Sequence, residues 1–96
     1  MTIKILGIPY KVIKVKHIDN SNRTWGEIDY EKQAIKICSD LKKDRIAETL
    51  LHEILHGIIA GLGIELENEE SLVQSISATM YQTLRDNKKL TKILVS

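Results

Sequence analysis

The sequence has little aromatic content: no phenylalanine, one tryptophan and three tyrosines, only 4% of its 96 residues. A core built with so few aromatic residues must rely on isoleucine, leucine and valine, and isoleucine serves strands and buried helices alike. The single cysteine, Cys38, excludes an internal disulfide, which is typical of a protein that stays inside the cell. The single proline, Pro9, leaves the chain with few forced breaks in its helices and strands.

The sequence also has little net charge and no long hydrophobic run. Fourteen basic residues face thirteen acidic ones, for a net charge of +1, so the composition gives no general reason to bind nucleic acid or a membrane. The longest apolar run, residues 58–62, contains Gly61 and is far shorter than the roughly 20 residues that span a bilayer. The first residues lack the apolar segment of a signal peptide. We therefore expect one soluble domain, residues 1–96, in the cytoplasm.

The first half of the sequence has the alternation of β-strands. Apolar residues alternate over 3–5 and 10–15, and residues 24–30 and 34–38 form a predicted hairpin about the turn 31–33. The polar segment 17–23, between the alternating residues 10–15 and the predicted hairpin, is typical of a loop.

The second half has the periodicity of helices. A first helix is predicted from a cap at Ser39 or Asp40, with Asp44 in an early turn, to Gly61 and Gly63. A second is predicted from a cap at Asn68 to residues 86–87, with an apolar stripe of Leu72, Val73, Ile76, Met80 and Leu84. The tail 90–95 suits a short helix or a strand. Together these patterns predict an α+β fold, in which a small antiparallel sheet packs on two helices.

One motif carries chemistry: His52-Glu53-Ile54-Leu55-His56, inside the most regular predicted helix. Residues four apart lie on one helical face, so both imidazoles can converge on a single metal ion. Glu53 can then reach a metal-bound water without being a ligand, which is the HExxH arrangement of zinc peptidases. The two histidines lie beside the apolar stripe of this helix rather than within it, as expected for ligands that face a cleft.

A catalytic zinc site needs a third protein ligand. The acidic cluster Glu65, Glu67, Glu69 and Glu70 follows the motif, and a second helix that runs back beside the first would bring one of these carboxylates to the metal. Helical geometry favours Glu70, on the flank of the second helix, with Glu69 as the main alternative. Without a metal, these four residues would be a solvated helix start that suits the helix dipole.

Other residues have weaker signals. Tyr81 lies on the same side of the second helix as Glu70 and is the candidate oxyanion partner, although a half-buried packing role also fits it. His17, in the predicted loop, is a weaker candidate. Trp25, Gly26 and Cys38 are interpreted as structural. Trp25 would fill the core or cover an edge of the sheet, Gly26 would mark a bulge or a close backbone approach, and Cys38 would be a small buried side chain.

Residues 49–58 are preceded by Trp25-Gly26-Glu27-Ile28-Asp29-Tyr30 and Ile35-Lys36-Ile37 and followed by the segment 68–87. Together these segments resemble the small phage and prophage zinc-metallopeptidase-like proteins related to the ImmA/IrrE family, which implies a location in the cytoplasm of a bacterial host cell. The resemblance implies a gluzincin-type peptidase whose third ligand is a glutamate at the start of the second helix. Glu70, four positions before Gln74, fits that register. Many of these proteins carry an acidic residue where this chain has Gln74.

The sequence thus predicts a zinc-dependent endopeptidase in which His52, His56 and Glu70 hold Zn²⁺ and Glu53 is the general base. The substrate would be a peptide or protein paired as an extended strand along residues 24–30 or 34–38. The alternatives are a zinc-binding but non-proteolytic partner-binding protein and a metal-free interaction protein. Other divalent ions also suit two histidines and a glutamate.

Overall fold

A computed structural model describes residues 1–18 and 24–96 and shows an α+β fold, as predicted. Residues 19–23 of the predicted loop lie outside the described residues. Four strands come first and three helices follow: β1 Thr2–Ile5, β2 Ile8–Val15, β3 Gly26–Asp29, β4 Ala34–Cys38, α1 Lys43–Leu62, α2 Glu69–Asp86 and α3 Lys88–Val95. The segment 90–95, for which the sequence suited either a helix or a strand, belongs to helix α3. No helix in the described ranges is long and apolar enough to cross a membrane.

The four strands form one sheet in the order β1-β2-β4-β3. The predicted hairpin is present, with β3 antiparallel to β4. The sheet is mixed rather than wholly antiparallel, because β4 pairs with β2 in parallel. The reason is that β3 lies two positions from β2, and the chain then turns back to place β4 between them. In this central position β4 buries Ile35 and Ile37, which are 0% and 1% exposed.

The turn between β3 and β4 spans residues 30–33. Its backbone is fixed in part by the Lys32 N–H, which donates to the Asp29 carboxylate at 2.9 Å. Gln33 adopts a positive φ of 52° where the chain re-enters the sheet. The turn begins with Tyr30, directly after the last residue of β3.

Helix α1 packs against one face of the sheet. Gly57 is buried at the contact, and a Cβ atom there would lie 2.8 Å from a methyl of Ile5, so glycine permits the close approach. The core cluster comprises Ile5, Tyr10, Ile35 and Ile37, with Ile46, Leu50, Ile54 and Ile58 of α1 packed on it.

The ends of α1 agree only in part with the sequence prediction. The predicted cap at Ser39 or Asp40 is wrong, because α1 begins only at Lys43. At Ser39 the chain is still paired with the sheet, since the Ser39 N–H donates to Val15 O at 2.7 Å. The N-cap position is Lys42, with Asp44 in the first turn as expected. At the other end Gly63, with a φ of 70°, terminates the helix as predicted.

Helix α2 begins after Asn68, as predicted, and packs against α1. Its buried residues are Val73 and Ser77, whose small side chains suit a close contact between helices. Much of the predicted apolar stripe lies outside this contact: Leu72, Ile76 and Met80 are 36%, 46% and 39% exposed. Helix α3 contacts α2 and has no buried residue.

Candidate metal site and pocket

Helix α1 presents two imidazoles one turn apart. His52 and His56 are four residues apart, and their Nε2 atoms lie 3.2 Å from each other. Helical geometry alone places both rings on one face. Both side chains are largely buried, so their conformations are restricted by packing as well as by the helix. The two nitrogens are close enough to share one ion.

The first turn of α2 brings a carboxylate against both histidines. Glu70 Oε1 lies 2.9 Å from His52 Nε2, and Glu70 Oε2 lies 2.8 Å from His56 Nε2. Ligand atoms of the three side chains all lie within 4.8 Å of one another. The structure thus brings together the three predicted ligands, and the group could hold a metal ion.

Glu69 has a different position from Glu70. His56 Nδ1 donates to Glu69 Oε2 at 2.6 Å, on the side of the ring away from the Nε2 group. A histidine that donates from Nδ1 in its neutral form keeps the lone pair on Nε2, where it can bind a metal. The two candidate carboxylates therefore take separate places, with Glu70 at the ligand atoms and Glu69 behind the imidazole.

The surroundings of His56 favour a positive charge. Burial by itself lowers the pKa of the imidazole, but the hydrogen bonds to Glu69 and Glu70 outweigh it and raise the pKa above its usual value. The carboxylates of Glu53, Glu69 and Glu70 surround this ring and repel one another. A proton on the ring would reduce that repulsion, and a metal cation beside the ring would do the same. The electrostatics at these atoms are thus suited to a bound cation.

Glu53, the residue after the first histidine, is buried beside this group. It is only 7% exposed, and burial raises its pKa to about 7, against the opposing attraction of His56. Its Oε2 would lie 3.1 Å from a Cβ atom on Gly26, so β3 passes directly over the carboxyl group. A carboxyl with a pKa near neutrality can both accept and return a proton at physiological pH.

These residues lie in a pocket with a volume of about 640 Å³ between α1, α2 and β3. β3 is an edge strand, with β4 on one side, and its residues Gly26, Glu27 and Ile28 line the pocket. The alternative edge at residues 34–38 is excluded, because β4 pairs with strands on both sides. The lining includes Trp25, Gly26, Glu27, Ile28, Tyr30, Arg45, Glu48, Thr49 and Gln74 besides the residues above.

Tyr81, the predicted oxyanion partner, is not brought to this group. It is not among the residues that line the pocket, and its hydroxyl donates to Asp44 Oδ1 at 3.2 Å. Arg85 donates to the other oxygen of the same carboxylate at 3.1 Å. Tyr81 therefore belongs to a contact between the start of α1 and the end of α2.

The remaining predicted residues lie elsewhere or line the pocket without touching the ligand group. His17 borders a separate, smaller pocket together with Cys38. Cys38 is buried, as predicted, and its thiol donates to Thr24 O at 3.2 Å. Trp25 is 41% exposed, so it covers the edge of the sheet rather than filling the core. Gln74 lines the pocket with an exposed side chain, whereas the carboxylate that contacts both histidines is that of Glu70.

The sequence patterns did not identify Tyr30 and Arg45 as residues of the site, although both line the pocket. Tyr30 lies at the β3 end of the pocket, where burial and the nearby Glu69 raise the pKa of its phenol. Arg45 lies seven residues before His52, a spacing that puts it on the same helical face and that could have revealed it. Tyr30 had no comparable local signal, because its approach to the site depends on how β3 packs on α1.

Comparison of the chain with protein family models, with curated proteins and with solved structures gives no match.

Proposed function

We propose that this protein is a zinc-dependent metallopeptidase. The observation that supports it most directly is the convergence of His52, His56 and Glu70 in a pocket where Glu53 is buried beside them. Two ligands at ordinary zinc bond lengths in a tetrahedral site are about 3.3 Å apart. The 3.2 Å between the histidine nitrogens fits that separation.

Each side chain has a defined part in the proposed reaction. His52, His56 and Glu70 would hold the ion, and Glu69 would orient His56. Zinc in such a site supplies Lewis acidity and makes a water nucleophilic near neutral pH. Glu53 accepts the proton of the attacking water and then delivers it to the leaving amine.

The substrate in this proposal is a peptide segment in extended conformation. The exposed edge of β3 offers backbone groups for one more strand, and the pocket lies along that edge. Tyr30 is the phenol that the pocket provides for the oxyanion, and it replaces Tyr81 in this role. The relation to the ImmA/IrrE peptidases, the phage origin and the cytoplasmic location belong to the same proposal.

A second candidate is a zinc-binding protein that recruits a partner without proteolysis. The observation that favours it is the exposed apolar surface of the last two helices. Its members are at least 36% exposed: Leu72, Ile76, Met80, Leu90, Ile93, Leu94 and Val95. Leu72, Ile76 and Met80 recur every four residues and so lie on one face of α2, and an exposed apolar face is typical of interaction sites.

Hydrolysis by the zinc-loaded protein separates the two candidates. The protein is incubated with a mixture of synthetic peptides, and the products are identified by mass spectrometry. For a peptidase we expect cleavage that is lost in Glu53→Gln, in which zinc stays bound, and kept in Glu67→Gln, a surface control. Zinc binding without cleavage in any of the three proteins would favour the partner-binding candidate.

A further inference from the structure

The pocket extends along α1 well beyond the metal ligands. Arg45 lies 7 residues before His52 and 11 before His56, so each histidine points within about 20° of the direction of Arg45. The rise per residue places Arg45 about 13 Å from the midpoint of the two histidines, towards the start of the helix. The same pocket therefore contains the candidate metal site in one part and the positively charged side chain of Arg45 in another.

The guanidinium of Arg45 is held in place but is not neutralised. It lies over the ring of Trp25, 4.6 Å from the centroid, which fixes its direction through a cation–π contact. Its ion pair with Glu48 is 3.8 Å long and its side chain is 49% exposed, so this pair is weak. Among the lining residues in the described ranges, Arg45 carries the one permanent positive charge.

The directions of β3 and α1 show which part of a substrate would reach Arg45. The two elements run the same way along the pocket, since Gly26 lies against Thr49 and Ile28 lies against Gly57. A peptide that pairs antiparallel with β3 therefore runs from Tyr30 towards Trp25. Its residues after the scissile bond would then approach Arg45.

We infer that Arg45 and Trp25 form a subsite for a carboxylate of the substrate, on the leaving-amine side and about four residues from the scissile bond. This inference rests on the proposed function. The spacing follows from about 13 Å along the helix and about 3.4 Å per residue of extended peptide. The carboxylate belongs either to an Asp or Glu side chain or to the carboxyl terminus of the peptide, and a guanidinium binds both in the same way.

Binding measured without turnover tests the subsite. Trp25 is the only tryptophan of the chain, so its fluorescence reports on peptides that reach Arg45. Zinc-loaded Glu53→Gln protein is titrated with three matched peptides. The first ends in a free carboxylate, the second has an amidated C-terminus, and the third has an amidated C-terminus and a glutamate before it. A fourth peptide replaces that glutamate by lysine. The same titrations are repeated with two double variants, in which the Glu53→Gln protein also carries either Arg45→Ala or Arg85→Ala. Arg85→Ala is the control, because Arg85 lies outside the pocket.

We expect one or both carboxylate-bearing peptides to bind about tenfold more tightly than the neutral amide, and the lysine peptide to bind more weakly. The advantage should disappear with Arg45→Ala and persist with Arg85→Ala. The free carboxylate and the glutamate amide identify which source of the carboxylate is preferred. Equal binding of all four peptides, or no binding of any, would overturn the inference.

Peptide hydrolysis by the zinc-loaded wild-type protein is a separate test of the proposed peptidase function. Cleavage with no charge preference would leave a peptidase without this subsite. Arg45-dependent binding of carboxylate peptides without cleavage would leave a peptide-binding pocket that is not a peptidase.

Discussion

His56 and Glu69 form a hydrogen bond of 2.6 Å between α1 and α2, from the imidazole Nδ1 to the carboxylate. This contact leaves Nε2 directed at His52 and Glu70, where a metal ion would bind. Glu69 and Glu70 are neighbours in the sequence, yet one faces each nitrogen of the same ring. The start of α2 thus supplies both a candidate ligand and the group that orients another.

The hydrogen bond predicts a graded effect of substitutions at the start of α2. Glu69→Gln should weaken zinc binding by about 10- to 100-fold, because the imidazole loses a charged acceptor but keeps its ligand nitrogen. Competition with a chromophoric chelator measures the affinity. Glu65→Gln, in the exposed connection before α2, is the control and should bind zinc as the wild type does. An unchanged affinity in Glu69→Gln would show that the contact does not position His56.

Burial of Glu53 predicts that the metal-free protein loses stability as the pH rises from about 4.5 to about 7. Over this interval the folded chain retains a proton that the unfolded chain has released, because burial raises the pKa of Glu53 in the folded state. Glu53→Gln lacks this titration. Its stability relative to the wild type should therefore increase by on the order of 3 kcal/mol between pH 4 and pH 8.

Urea unfolding in the presence of a chelator, at several pH values, measures this difference. Glu48→Gln, a partly exposed residue on the same helix, provides the comparison. A constant difference between Glu53→Gln and wild type across the range would contradict the assignment of a raised pKa to Glu53.

The close approach of β3 to α1 predicts that Gly26 tolerates no larger residue. A Cβ atom at this position would lie 2.5 Å from Thr49 Cγ2 and 3.1 Å from Glu53 Oε2. Gly26→Ala should therefore lower the free energy of unfolding by about 1–3 kcal/mol. Adding Thr49→Ser removes the clashing methyl and should restore part of the loss in a double-mutant cycle. Strictly additive effects would show that the two residues are not in contact.

The positions of the two tyrosines predict opposite effects of removing their hydroxyls. Tyr30→Phe should lower kcat by about 100-fold with little change in KM, because an oxyanion donor acts mainly in the transition state. Tyr81→Phe should keep its turnover and lose about 1 kcal/mol of stability, since its hydroxyl bonds to Asp44. Steady-state kinetics and thermal unfolding of both variants test this. The reverse result would restore Tyr81 as the oxyanion partner.

Local patterns in the sequence predicted what depends on local geometry. The hairpin, the regular first helix and the shared face of His52 and His56 follow from periods of two and 3.6 residues. The end of α1 followed from Gly63, whose positive φ suits a residue without a side chain.

What the sequence did not reveal depends on non-local packing. The parallel pairing of β2 with β4 requires a strand order that no local pattern encodes. Ser39 looks like a helix cap, but its N–H is already used by the sheet. Helical geometry favoured Glu70 as the ligand, but it did not show that Glu69 would contact the other nitrogen of His56, which depends on how α2 packs on α1. Tyr30 reaches the pocket only because β3 lies close to α1 at Gly26.

The metal content of the purified protein tests the central claim most directly. After the protein is saturated with zinc and the unbound zinc is removed, elemental mass spectrometry should find near one zinc per chain in the wild type and in Glu69→Ala. Glu70→Ala should lose the metal. A wild type that holds no zinc, or a Glu70→Ala protein that keeps it while Glu69→Ala does not, would contradict the ligand set His52, His56 and Glu70.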